Sequence, residues 1–368
     1  MENSVTPWEV KGKIDYDKLI KEFGMSYMPK ELPKIFNEEL LFRREIVYGH
    51  RNFNLILDCI KNKKQFAMMT GLMPSGKMHI GHAMVARQFI FYQSLGAKVY
   101  ITVADIEAYN TRNPDMEELK KVAIEEYLLN YIALGLDLKK CDFYFQSKRS
   151  DDGKKSNSYY SLAQKSARHI TFNEIKSIYG DITPGKLSSA LLQVSDMLHP
   201  QLPEFEGQIN VIVPVGTDQD PHIKLAHDIM DRMKGNKFSP LSSTYHIFMP
   251  GLKGGKMSSS DPLSYVALTD TPEEAEKKIK KYAFSGGKDT LEEHRKLGGN
   301  PDIDISYQWL RMFFEPDDNK LQKIHDDYKS GKLLSGELKQ ILIEKVKIFL
   351  KEHQKKRELA KKQVEKFL

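Results

Sequence analysis

The chain has 368 residues, 40% hydrophobic and 29% charged, with a net charge of +6. That balance suits two or three packed domains, and no run reaches the roughly 18 apolar residues of a membrane span. Cys59 and Cys141, the two cysteines, match no metal or redox spacing, and the N-terminal stretch lacks the order of a signal peptide, so a cytoplasmic protein is expected.

The positive charge favours an anionic partner, nucleotide or nucleic acid, although lysine-rich surfaces also serve solubility. Residues 1–60 read as a helical lead-in, with apolar positions at helical spacing in "DYDKLIKEFG". "QFAMMTGL" (65–72) reads as a buried strand, followed by a turn at Pro74 and Ser75. "IGHAMVARQFIFYQSLG" is apolar on more than one face and predicts a buried helix. "AKVYITVAD" and "CDFYFQS" predict short core strands, and "DMEELKKVAIEEYLLNYIALG" an amphipathic helix. "QINVIVPVGTDQD" predicts strand then turn, with Pro221 opening the next helix. Thr271 to Glu274 form a capping box, and from there the pattern is helical.

Strand–helix alternation from 65 to 270 implies an α/β fold, an open, doubly wound parallel sheet of Rossmann-like type. The expected division is an N-terminal extension (1–60), a Rossmann-like sheet domain (61–270) with a helical insertion at about 112–205, and a helical C-terminal domain (271–368).

His79 and His82 fall where the first sheet strand hands over to its helix. Ligands of open α/β sheets bind there, and the helix N-terminus favours phosphate. Gly81 between them leaves room for a flat base or ribose against the backbone. Read alone, the pair also fits a capping turn. A second motif, "GGKMSSSDP" (254–262), joins two glycines to Lys256, Met257, Ser258, Ser259 and Ser260, a set suited to polyphosphate. Alone, it also fits a solvated linker.

Together the motifs resemble the His-Ile-Gly-His and Lys-Met-Ser-Lys-Ser signatures of class I aminoacyl-tRNA synthetases. Ser259 replaces the second lysine, removing a charge that Mg²⁺ or Lys77 would supply instead. "HITFNEIKSIYG", "GTDQDPHIKLAHD", "AFSGGKDTLEEHRKLGGNPDIDIS" and "DYKSGKLLSGELKQILIEKV" narrow the resemblance to tryptophanyl-tRNA synthetases of archaeal and eukaryotic type, from about Pro7 to the C-terminus. The resemblance implies a helical anticodon-binding domain and a homodimer.

It also implies roles for named residues. His79, His82 and Lys256 would be catalytic. Pro74, Ser75, Gly81, Asp218, Met257, Ser258 and Ser259 would bind ATP. Met69, Glu107, Gln193, Asp196 and Gln219 would bind tryptophan, with Asp196 accepting the indole N–H. Asp302 and Asp304, facing one side, would read the tRNA(Trp) anticodon, although one of them also fits a helix cap. ATP and Mg²⁺ are the implied cofactors, with no protein metal site. The implied reaction is adenylate formation followed by acyl transfer to tRNA. Tyrosine is the alternative substrate, and a nucleotidyltransferase of the same fold the alternative enzyme.

Overall fold

A computed structural model describes residues 4–5, 10–11, 15–112, 115–233, 235, 237–257 and 261–365. A hairpin of Ser4–Val5 (β1) and Val10–Lys11 (β2) precedes a seven-stranded sheet. The sheet comprises Ser26–Tyr27 (β3), Val47–Arg51 (β4), Phe66–Leu72 (β5), Lys98–Val103 (β6), Cys141–Phe145 (β7), Asn210–Gly216 (β8) and Ser242–His246 (β9). Its spatial order is β3-β4-β9-β8-β5-β6-β7. The five strands from β9 to β7 are parallel, and β3 and β4 add an antiparallel edge.

Strand alternation feeds two cores. Phe66, Met68, Val99, Ile101 and Ile212 point to one face, where the helix Ile80–Ser94 lies. Ala67, Met69, Tyr100, Val211 and Val213 point to the other, beneath helices Gly153–Ser166, Pro184–Leu198 and Asp220–Arg232. From β5 the chain winds outward through β6 and β7, then returns to β5's other side with β8. The strand order therefore reverses between β5 and β8, and the crevice over their carboxyl ends is the natural ligand position.

The Rossmann-like architecture agrees with the alternation, with two corrections. Residues 1–60 are not solely helical, because β3 and β4 extend the sheet. Strand β9, "SSTYH", carries no apolar alternation to signal it, because four of its five residues bear a hydroxyl. All five are nevertheless buried, and Ser242 hydrogen-bonds the carbonyl of Asn52 at 2.9 Å. Within the stretch 112–205, β7 is the strand expected from "CDFYFQS".

The C-terminal region is helical, ending in Ser335–Val364. Its Trp309, Leu338, Leu342 and Val346 join the same buried cluster as Phe66 and Phe89, so these helices pack directly on the sheet's layer. No helix among the described residues is long and apolar enough to cross a membrane.

Candidate active site

The loop after β5 turns through Pro74, which is buried, and Ser75 into the helix that begins at Ile80. His79 is the N-cap residue. Its backbone N–H donates to Nδ1 of His82 at 3.3 Å, and the two rings stack with centroids 3.7 Å apart. That bond leaves the proton of neutral His82 on Nε2, aimed away from the backbone. Burial, aided by the charge of Lys256, lowers the His82 pKa to about 4. Burial and the neighbouring His82 hold His79 well below the usual imidazole range. Both rings are therefore neutral donors at pH 7. Among the described residues, Nδ1 of His79 is buried and has no hydrogen-bond partner, as expected of an atom kept for a ligand.

The second motif reaches the same place. Nζ of Lys256 lies 3.1 Å from Oδ2 of Asp218, at the carboxyl end of β8, and 5.3 Å from the centre of the Phe248 ring. Its charge is felt by His79, His82 and His246. A methyl group built on Gly81 would stand 3.1 Å from the Met257 sulfur and 3.1 Å from the His79 ring. The space at Gly81 therefore borders both Met257 and the His79 ring. Ser258 and Ser259 lie outside the described residues. Lys77 is half exposed, 3.9 Å from Asp270.

A second group of polar side chains lines the neighbouring strand ends. Tyr179 donates its hydroxyl to Oε1 of Gln193 at 2.8 Å, which turns the Gln193 amide nitrogen toward Glu107 at 3.3 Å. Burial, with the charge of Asp196 adding to it, raises the Glu107 pKa to about 7. Gln219 donates to Asp218 at 3.2 Å. Met69 is buried on β5 in the same cluster as Tyr144 and Tyr159.

Asp196 is already engaged by side chains of the protein. It takes hydroxyl donors from Tyr144 and Tyr159, each at 2.7 Å, and the Gln146 amide at 2.8 Å. Burial still raises its pKa to about 6 against these donors. It orders the pocket wall through its three partners. Gln146 in turn accepts from the backbone of Glu107 at 3.3 Å, so the two acids are linked. Gln146 follows β7, a strand-end position that could have singled it out. Tyr144, Tyr159, Tyr179 and Tyr127 carried no such signal.

Asp302 and Asp304 do not share a face. Asp302 is exposed, whereas Asp304 is buried and caps the helix Ile305–Trp309. It accepts from Ser306, Tyr307, Gly286 and the Tyr328 hydroxyl at 2.8–3.3 Å, which excludes it as a base reader. Trp309 is a core residue whose indole donates to the carbonyl of Pro250 at 2.7 Å.

A family described as tRNA synthetases class I (W and Y) matches residues 61–351. The tryptophan–tRNA ligase of Methanocaldococcus jannaschii is 44% identical over 97% of this chain and 96% of its own. The crystal structure of tryptophanyl-tRNA synthetase from Aeropyrum pernix K1 superposes with a TM-score of 0.90 at 42% identity, covering 96% of each chain. That from Plasmodium falciparum gives 0.84 at 32%, covering 96% of this chain and 95% of its own. With the signature histidines and the lysine loop meeting at one sheet crevice, and relatives aligned along nearly its whole length, the chain belongs to the tryptophanyl-tRNA synthetases of class I.

Proposed function

We propose that the chain activates L-tryptophan with ATP to tryptophanyl-adenylate and transfers the acyl group to the 3′ end of tRNA(Trp). The observation that carries the roles of individual residues is the meeting of His79, His82 and Lys256 over the ends of β5 and β8.

The tryptophan carboxylate is itself the nucleophile, attacking the α-phosphorus in line and releasing pyrophosphate. The protein's task is positioning and charge stabilisation. Nε2–H of His82 and the ring of His79 donate to phosphate oxygens. Neutral donors suit this, because they remain donors across the physiological pH range. Lys256 leaves Asp218 to follow the departing pyrophosphate as the Gly254–Gly255 hinge moves; both glycines have positive φ, 82° and 69°. Pro74, Ser75, Gly81, Met257, Ser258 and Ser259 complete the nucleotide site. Glu107 and Gln193 receive the substrate ammonium, with Gln219 beside them.

Among the described residues no three His, Cys, Asp or Glu groups converge to hold a metal ion. Mg²⁺ is assigned to the nucleotide substrate, chelated by its phosphates.

Residues 61–270 are assigned to catalysis, with 112–205 as the insertion, and 1–60 as an extension. Residues 271–368 are assigned to tRNA, with exposed Asp302 available to a cytosine amino group. A homodimer is part of this reading. The test is ATP–pyrophosphate exchange with tryptophan, then tyrosine. Tryptophan-dependent exchange is expected. Tyrosine-dependent exchange alone would transfer the assignment to the alternative substrate.

A further inference from the structure

One turn of the C-terminal helix, at His353, Gln354 and Arg357, reaches both walls of the loop that carries His79. The first wall is the segment Ala123–Leu128, wound as a π turn between helices Met116–Val122 and Leu129–Leu134. Such wide turns are rare and recur at functional sites. Here side chains take up its carbonyls. Asn130, fully buried, donates to the carbonyl of Glu126 and accepts from Nε2 of His353 at 2.7 Å. Arg357 donates to the carbonyl of Glu125 at 2.5 Å. The turn then sets Tyr127 with its hydroxyl 3.2 Å from the Ser75 carbonyl and its ring 5.6 Å from that of His82.

The second wall is the segment after the lysine loop. Gln354 donates to the carbonyls of Leu268 and Asp270 at 3.2 and 2.8 Å. Leu268 donates to the Met78 carbonyl at 2.9 Å, and Ala267 bridges to His79. Apolar packing would hold the helix on the layer without these bonds. What the polar contacts add is a fixed distance and register between the helix and the two backbone segments that bracket residues 75–82.

We propose that His353, Gln354 and Arg357 are positioning residues for ATP, acting through the π turn and Tyr127 on one side and through Leu268 on the other. The proposal rests on the reading of the His79–His82 loop as the phosphate site. None of the three touches substrate.

The experiment is tryptophan-dependent ATP–pyrophosphate exchange on the full chain. His353→Leu and Arg357→Ala are each expected to raise KM for ATP roughly three- to thirtyfold, the range of couplings carried by contact networks. KM for tryptophan stays unchanged. His353→Gln, which still offers an N–H to Asn130, restores most of the loss. Arg357 is less buried than His353, so Arg357→Ala keeps the test alive if His353→Leu does not fold. Equal rises in both KM values, or no rise in either, overturn the proposal. Absence of exchange in the unmodified protein would instead sink the functional reading.

Discussion

The backbone N–H of His79 points at Nδ1 of His82 across 3.3 Å, and that single contact decides which nitrogen of His82 faces the phosphate site. His82→Ala removes the outward donor. Exchange is expected to fall about 10²–10³-fold, the usual loss for one positioned donor to a transition state. Thermal melting should hardly move. A collapse of Tm in step with activity would assign His82 to folding.

Acidification should destabilise the protein through its buried imidazoles. His82, His222, His246 and His353 are each lowered to about 4, chiefly by burial. The unfolded chain accepts these protons near pH 6.5, whereas the folded state refuses them until about pH 4. Stability contributed by keeping them neutral is therefore lost progressively as pH falls through that window. The expected outcome is a smaller drop in Tm between pH 7 and pH 5 for His246→Gln than for the unmodified protein. A variant as pH-sensitive as the parent would refute the assignment.

Glu107 has the opposite sense. Its pKa is raised to about 7, first by burial and then by Asp196. Only the ionised form attracts the tryptophan ammonium, so KM for tryptophan should rise as pH falls through about 7. Glu107→Gln is expected to raise that KM about tenfold or more, as loss of a charged hydrogen bond does. It should also flatten the pH dependence. A pH profile identical in the variant would exclude Glu107 as the ammonium partner.

Asp304 and Asp302 should separate cleanly. Asp304→Ala loses a helix cap and leaves buried donors unmet, at a cost of about 2–4 kcal/mol, visible as a lower Tm. Asp302→Asn should leave Tm unchanged and weaken aminoacylation at limiting tRNA. Normal Tm with impaired tRNA charging in Asp304→Ala would reverse these assignments.

The phosphate site was legible because its signals are local. His79, Gly81 and His82 stand together at a strand-to-helix handover, and Asp218 follows a strand, whereas Glu107 and Gln219 were implied by the family resemblance. What escaped depends on long-range pairing. Tyr144 and Tyr159 reach Asp196 from a strand and a helix tens of residues away, and their aromatic rings looked like ordinary core. The antiparallel edge escaped for a related reason. Val47–Arg51 and Ser242–His246 are short and largely polar, and each becomes a strand only because the other pairs with it. Asp304 was misplaced because alternation with Asp302 suggests one face, whereas the capping geometry turns its carboxylate inward.

The contact between Lys256 and Asp218 sets a threshold for the loop. An ammonium already neutralised by a carboxylate gains little by moving to a monoanion, which offers the same charge at the same distance. A polyanion offers more than the carboxylate it replaces. The loop should therefore stay against the strand ends when a singly charged ligand such as a phosphodiester enters and depart for a triphosphate, which makes the resting pair a discriminator of ligand charge.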